Sequence, residues 1–134
     1  VVAALPDVGL VAFRDPFGIK PICFGIREDE GQRWFAFASE SVVLDVTGYE
    51  KQFDLNAGEA VFISAEREVI RRQVGDKPHR PCIFELVYFA RPDSLLDGMS
   101  VYRTRVRFGD ALGRQWRREG APTPDVVIPI PDSS

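Results

Sequence analysis

The chain has 134 residues, with 17 Lys and Arg against 20 Asp and Glu, a formal net charge of −3, and 45% hydrophobic residues. This length predicts one domain, or a partial domain plus the edge of another, with enough apolar residues for a core. The mixed charge gives no support for a nucleic-acid or membrane-surface partner. No apolar run approaches the roughly 20 residues that a membrane-spanning helix needs.

The cysteines and the single histidine offer little chemistry. Cys23 and Cys82 form neither a disulfide framework nor a CxxC metal pattern. Reduced thiols in a cytoplasmic protein are the simplest interpretation. His79 lies in a polar loop, where a solvated histidine is expected rather than a catalytic base.

The first half of the chain is rich in strand signals. Val8–Arg14 and Lys20–Ile26 are short β-rich runs, and the turn residues Asp15-Pro-Phe-Gly18 between them predict a hairpin. Arg27–Gln32 is predicted as a loop and Arg33–Ala38 as a third strand.

A short helix and a second hairpin are predicted next. The hydroxyl and carboxylate groups of Ser39-Glu-Ser41 suit a helix start, and Gly48 suits its end. After a turn at Asn56-Ala-Gly58, Glu59–Ser64 and Val69–Val74 predict a hairpin.

The second half changes period. Cys82–Ala90 is a dense apolar run whose aromatic and β-branched residues favour a strand. From Gly98 to Glu119 the spacing is helical, with one stripe containing Tyr102, Val106, Gly109, Gly113 and Trp116. Two glycines on that stripe suggest close packing against a neighbour.

The last segment predicts the opening of a second structural unit. Asp125–Ile130 reads as a buried strand that runs into the polar turn Pro131–Ser134. The loop after such a strand is where α/β domains bind ligands, so Ser133 and Ser134 are either ligand contacts or part of a plain turn. Val1–Leu5 resembles the inside of an apolar segment, and we expect the chain to be part of a longer protein.

No catalytic constellation is recognisable from the residues alone: there is no Ser/His/Asp set, metal-spaced cluster or Gly-rich phosphate loop. Arg14 and Asp15 could be an exposed ion pair or a buried anchor for the turn. Glu40 is a helix-start charge or an acid/base group, with the former favoured. Arg91 and Asp93, beside Pro92, are interpreted as structural.

Several motifs together resemble a known family. Arg14–Pro21 (RDPFGIKP) and Ala38–Ser41 (ASES) resemble the class II glutamine amidotransferases, a superfamily that includes asparagine synthetase. Cys82–Ser94 (CIFELVYFARPDS), Asp97–Tyr102 and Asp125–Ser134 are similar, in that order and spacing, to the amidophosphoribosyltransferase family. Two alternatives remain: another class II amidotransferase, such as an asparagine synthetase relative, or a non-catalytic module that keeps the fold.

The resemblance implies an α+β fold in three parts. Residues 1–81 would be the C-terminal part of the glutaminase domain, half of an αββα sandwich of the N-terminal-nucleophile hydrolases. Residues 82–120 would be an interdomain segment and connecting helix, and 121–134 the start of a phosphoribosyltransferase-type α/β domain. The parent would use glutamine and phosphoribosyl pyrophosphate to make 5-phosphoribosylamine in purine synthesis, as a cytoplasmic homo-oligomer.

The family's functional residues carry over to few positions. The N-terminal cysteine nucleophile has no counterpart here, so no catalytic residue is predicted in this chain. Tyr88 resembles a tyrosine lining an interdomain channel, or is an ordinary core aromatic. Ser133 matches a hydroxyl near the Mg²⁺ of the transferase domain. Cys82 matches a [4Fe-4S] ligand in some members, whereas others keep the cysteine without a cluster. The matched structural motif residues are Arg14, Asp15, Gly18, Glu40, Arg91 and Asp93.

Overall fold

A computed structural model describes residues 1–130, which contain both strands and helices. The strands are β1 Val2–Leu5, β2 Gly9–Phe13, β3 Cys23–Asp29, β4 Gln32–Ala38, β5 Glu50–Asp54, β6 Glu59–Ser64, β7 Val69–Gln73, β8 Leu95–Leu96 and β9 Met99–Ser100. The helical elements are α1 Ser41–Val46, a π-helical turn Glu85–Phe89, and α2 Val101–Arg118.

Two antiparallel sheets form the first half of the structure. One has the strand order β1-β2-β6-β7 and the other the order β4-β3-β5. Their facing sides bury one core of Ala12, Phe24, Leu55, Val61 and Ile63. Alternation along each strand explains this, because every second residue of β2, β3 and β6 points to the same side.

Helix α1 covers the other side of the three-stranded sheet. Its Leu44 is fully buried, and a Cβ added to Gly25 would lie 3.0 Å from the Leu44 methyl carbons. Gly25 neighbours the core residue Phe24 in β3, so its side-chain position points outward. The absence of a side chain at Gly25 therefore lets the helix approach the sheet closely.

The predicted first hairpin is wrong. Strand β2 pairs with β1 and β6, whereas β3 pairs with β4 and β5. The Asp15–Gly18 turn forms, with Gly18 N donating to Asp15 O at 2.9 Å, but the chain then crosses to the other sheet. The crossing wraps around the buried Arg14 side chain, which binds the carbonyls of Gly18 and Lys20.

The predicted strand at Cys82–Ala90 is also wrong, because the structure has the π-helical turn there. Leu86 and Ala90 lie on one side of this turn, and both are buried with Leu96 and Val101 in a second, smaller core. In a strand, Leu86, Tyr88 and Ala90 would all face the same side. The exposure of Tyr88 beside the buried Leu86 and Ala90 therefore does not fit a strand.

Other predictions are confirmed with adjusted bounds. The hairpin β6–β7, the strand β4 and the helices α1 and α2 are present. The loop predicted at Arg27–Gln32 is mostly strand, since β3 and β4 meet at a tight turn of Glu30 and Gly31, both with positive φ. Strand β5 was not predicted, and the hairpin β8–β9 occupies the residues just before α2.

The stripe on α2 does not pack closely against a neighbour within residues 1–130. Tyr102 and Trp116 are exposed, and no atom there lies within 4 Å of a Cβ built on Gly109 or Gly113. Asp125–Ile130, predicted as a strand, is not one in the structure. A strand needs a hydrogen-bonded partner, and no strand among the described residues pairs with this segment.

Candidate functional site

A polar junction lies where the sandwich meets the segment of residues 82–100. A cavity of about 500 Å³ opens there, lined by Arg14, Asp54, Leu55, Asn56, Ala57, His79 and Asp97. Since these residues come from the end of β2, the β5–β6 connection, the polar loop and the β8–β9 turn, the junction joins segments distant in sequence.

Arg14 is the centre of this junction. Its side chain is almost fully buried and donates to the carboxylate of Asp97 through Nη1 at 2.6 Å and Nη2 at 2.9 Å. Its remaining N–H groups bind three backbone oxygens, those of Gly18, Lys20 and Leu55, at 2.8 to 2.9 Å. A buried guanidinium is therefore both neutralised and hydrogen-bonded, as burial of a charge requires.

The contact with Arg14 lowers the pKa of the Asp97 carboxylate. Burial raises the pKa of Asp97, but the hydrogen bonds and positive charge of Arg14 outweigh burial and hold that pKa below its usual range. His79 and Lys51 add in the same direction, and His79 Nε2 lies 3.6 Å from Asp97 Oδ2. Asp97 is consequently an anion matched to Arg14 and not a proton donor near neutral pH.

Asp15 and Gly18 shape the turn that surrounds Arg14. The Asp15 carboxylate accepts hydrogen bonds from Phe17 N at 3.0 Å and Ile19 N at 2.8 Å, and its carbonyl accepts from Gly18 N and Gly58 N. Gly18 has φ of 66°, in the left-handed region. Arg14 thus pairs with Asp97, while Asp15 is occupied with backbone amides.

Glu40 and Ser41 fasten the start of α1 to residues 91–95. Glu40 Oε2 accepts from Arg91 N and from Ser94 Oγ, both at 2.8 Å. Ser41 Oγ accepts from Leu95 N at 2.8 Å. The helix start was expected to use these groups as caps, but neither side chain caps α1. They satisfy backbone and hydroxyl donors of residues 91–95 instead.

Arg91 and Asp93 form a separate pair on the surface. Arg91 donates through Nε at 3.0 Å and Nη2 at 2.9 Å to the two oxygens of Asp93, and both side chains are more than half exposed. Solvent screening weakens the attraction between these two exposed charges, so the pair contributes little to stability. Their positions place them at the turn that follows the π-helical segment.

Tyr88, in the π-helical turn, and Cys82, just before it, differ in their exposure to solvent. Tyr88 is exposed and packs edge-on against Phe89, with ring centroids 5.5 Å apart. Cys82 is half-buried and lines a small cavity of about 20 Å³ with Arg14, Glu85, Leu86 and Asp97. Lys20 pairs with Glu85 at the rim of the same region.

The described residues do not by themselves hold a metal. No three His, Cys, Asp or Glu side chains converge into a metal site anywhere in residues 1–130. The second thiol, Cys23, is buried in β3, and its Sγ lies 3.4 Å from the Ala38 carbonyl oxygen. Cys82 therefore has no second thiol or carboxylate arranged with it as a metal site within residues 1–130, and the predicted iron–sulfur ligation is not tested by these residues. Ser133, the predicted Mg²⁺ contact, lies outside the described residues.

The observed contacts of the junction hold backbone segments in place. The sequence singled out Arg14, Gly18 and Glu40, but it did not predict that Asp97 binds Arg14 or that Ser41 binds the amide of Leu95. The Asp97-Gly98 pair could have indicated a two-residue hairpin turn, because both residues take positive φ in such turns. No sequence signal relates Asp97 to Arg14.

Within residues 1–130, none of the helices has the length and apolar character that a membrane span requires.

Comparisons with known proteins agree with the motif resemblance. A comparison with protein-family models matched none. The amidophosphoribosyltransferase of Pasteurella multocida is 49% identical over 99% of this chain, and that of Pseudomonas aeruginosa is 50% identical over 100% of it. A solved structure of glutamine phosphoribosylpyrophosphate amidotransferase from B. subtilis matches 95% of the chain and 26% of that protein, with a TM-score of 0.74 and 31% identity.

The chain spans only 27% of the length of these two curated relatives. Within that span the similarity covers the sandwich, the junction and helix α2 together. Over its whole length, therefore, this chain is a homologue of one segment of the amidophosphoribosyltransferases.

Proposed function

We propose that the polypeptide carrying this chain is a glutamine-dependent amidophosphoribosyltransferase. It hydrolyses glutamine to glutamate and ammonia, and the ammonia displaces pyrophosphate from phosphoribosyl pyrophosphate to give 5-phosphoribosylamine, the first committed step of purine synthesis. The observation that carries this proposal is the 49–50% identity to curated amidophosphoribosyltransferases across essentially all of the chain.

Within that enzyme, the chain would connect the two reacting centres. We propose that residues 1–81 complete the glutaminase sandwich, residues 82–120 link the domains, and residues 121–134 open the transferase domain. Two facing antiparallel sheets with α1 on one outer side support the first assignment, since they supply three layers of an αββα arrangement. The polar junction supports the second, because it fixes the linking segment to the sandwich.

Ammonia has to remain unprotonated to act as a nucleophile. A path closed to water would preserve it between the two reactions. Tyr88 is proposed to line this path, on its resemblance to the family's channel tyrosine. Its exposure on the π-helical turn beside the junction supports a position facing another part of the parent protein.

The cofactor proposal for the transferase step is Mg²⁺. Hard oxygen ligands and retained waters suit a magnesium ion that binds a pyrophosphate-bearing substrate, and Ser133 is the proposed contact in this chain. An iron–sulfur cluster would need its other ligands from outside residues 1–130. We further propose a cytoplasmic location, which the free thiols of Cys23 and Cys82 support. The proposed homo-oligomer rests on the family resemblance alone, and light scattering of the purified protein would measure its oligomeric state.

The test is an assay of the full-length polypeptide with Mg²⁺. We expect release of pyrophosphate that requires phosphoribosyl pyrophosphate together with either glutamine or ammonium. Glutamate release that never leads to pyrophosphate would instead favour another class II amidotransferase. Absence of both activities from a folded full-length protein would favour a non-catalytic module.

A further inference from the structure

The turn at Glu85–Phe89 has an unusual hydrogen-bond register. Ala90 N donates to Glu85 O at 2.9 Å, a bond that reaches back five residues instead of the four of an α-helix. Short π-helical segments of this kind occur frequently at functional sites. The consequence here is local: the Ala90 amide does not use the carbonyl of Leu86, which an α-helical register would assign to it.

Helix α2 supplies the donor for that carbonyl. Arg105 Nε donates to Leu86 O at 2.8 Å, and Arg105 Nη2 donates to Ala90 O at 2.7 Å. The carbonyls of Leu86, inside the turn, and of Ala90, directly after it, thus share one guanidinium. In the wider register Leu86 O receives no bond from the Ala90 amide, and Arg105 supplies the donor that this partly buried carbonyl would otherwise lack. The presence of Arg105 therefore lowers the cost of the wider register.

The sandwich supplies the matching acceptor. In a continued π-helix the next amide, Arg91 N, would reach Leu86 O, but it donates to Glu40 Oε2 at 2.8 Å instead. Glu40 directly precedes α1 and also accepts from Ser94 Oγ. The end of the turn is therefore completed from two sides, by a donor on α2 and an acceptor on the sandwich.

The start of the turn is fixed to the sandwich as well. Lys20, in the segment between β2 and β3, pairs with the Glu85 carboxylate, and its ammonium lies 4.7 Å from the centre of the Phe89 ring. The exposed aromatic side chains of Tyr88 and Phe89 lie on the turn between these attachments.

We propose that Arg105 and Glu40 are positioning residues that hold this turn in the π register, and that the turn converts a displacement of α2 into a change of register. If Arg105 moves away, the Ala90 amide can take Leu86 O and form an α-helical bond. A one-residue change of register rotates the following side chains by about 100°. Under the proposed function, on which this consequence rests, the register sets how well glutamine hydrolysis is coupled to phosphoribosylamine formation.

The experiment compares Arg105→Gln and Arg105→Lys with Arg107→Gln in the full-length protein. Arg107 is exposed on the same helix, so its variant controls for the loss of one positive charge. Crystal structures of the variants report the register directly, through the acceptor of Ala90 N. Amide hydrogen exchange of the 82–94 segment reports its opening in solution.

We expect Arg105→Gln to move the Ala90 hydrogen bond to Leu86 O. The product formed per glutamine hydrolysed should fall at least about fivefold, while ammonium-supported synthesis stays unchanged. Arg105→Lys retains one donor and should lie between the wild type and Arg105→Gln. Glu40→Gln, which retains an acceptor for Arg91 N, should keep the π register, and Glu40→Leu should lose it.

The proposal is overturned if the π register and the product ratio both persist in Arg105→Gln. It is also overturned if glutamine- and ammonium-supported synthesis fall in parallel with the melting temperature, because that result describes a merely structural residue. A wild-type protein without glutamine-dependent synthesis would reject the proposed function alone, since the structures would still decide the register.

Discussion

Arg14 and Asp97 are 83 positions apart in the chain, yet their side chains form a two-point ion pair at the centre of the polar junction. Arg14 directly follows β2, and Asp97 lies in the turn between β8 and β9. This contact is one of those that fasten residues 82–100 to the two sheets, and three carbonyl oxygens on the same guanidinium fix the direction of the Arg14 side chain.

Replacing Arg14 should destabilise the protein strongly. Arg14→Met keeps the volume but leaves Asp97 and three carbonyls without their donor, and loss of one partner of a buried pair costs about 3–5 kcal/mol. Thermal unfolding of the full-length protein measures the effect. Arg72→Met, at an exposed arginine of β7, is the control and should change little. Equal effects of the two substitutions would contradict the assignment of Arg14 as an anchor.

The Arg14–Asp97 pair should also make stability depend on acid pH. The pKa of Asp97 is lower in the folded protein than its unfolded value near 3.8, so its stabilising contribution is complete above that value. It is lost as the pH falls through the lower, folded pKa. We therefore expect the difference in melting temperature between wild type and Asp97→Asn to be large at pH 6 and to shrink below pH ~3.8. A difference that stays constant down to pH 2 would show that the charge of Asp97 is not involved.

Ser41→Ala should cost more than a surface serine substitution. Ser41 is buried, and its hydroxyl is the acceptor for the amide of Leu95. Leaving that amide without an acceptor should cost about 1–3 kcal/mol. Ser39→Ala, two positions earlier and exposed, is the matched control with an expected effect near zero. Hydrogen exchange at Leu95 should accelerate only in the Ser41 variant.

Gly58 and Gly31 separate backbone strain from packing. Both have positive φ, 71° and 77°, so alanine carries a conformational cost of roughly 1–2 kcal/mol at either position. A Cβ at Gly58 would also lie 2.5 Å from the backbone oxygen of Gly75, whereas nothing lies within 4 Å at Gly31. Gly58→Ala should therefore lower the melting temperature clearly more than Gly31→Ala. Similar losses would mean that the backbone at Gly75 moves away readily.

The isolated 134 residues should have neither glutaminase nor transferase activity. No residue of the chain matches the cysteine nucleophile that the family resemblance implies. Glutamate and pyrophosphate release by the purified segment would be measured beside the full-length protein. Turnover above the buffer blank would contradict the prediction that the isolated segment is inactive.

Patterns of neighbouring residues correctly predicted the elements whose structure depends mainly on those residues. Apolar alternation with turn residues indicated the β6–β7 hairpin, and helical spacing indicated α2. The partner of β2 could not be obtained in this way, because a turn at Asp15–Gly18 is compatible both with a hairpin and with a crossing between sheets. What decides between them is the buried Arg14, whose partners are distant in sequence.

The apolar run Cys82–Ala90 shows a second limit. Its composition favours a strand, but its conformation is determined by Arg105 and Glu40, which lie on other elements. In the same way, the motif resemblance pointed to Glu40 and Arg91 but did not predict that the carboxylate of one binds the amide of the other. The contacts of the candidate site join residues that are distant in sequence. The sequence therefore indicated several of its residues but not which of them bind each other.

The two cysteines differ in burial, and this difference would allow the junction to be labelled selectively with a thiol reagent. Burial raises the pKa of the Cys23 thiol to about 11, so near neutral pH almost none of it is the reactive thiolate. Cys82 is half-buried beside Arg14 and Leu86. Within this chain, a thiol-directed spectroscopic label would consequently attach at Cys82. There it would report on the contact between the two sheets and residues 82–100.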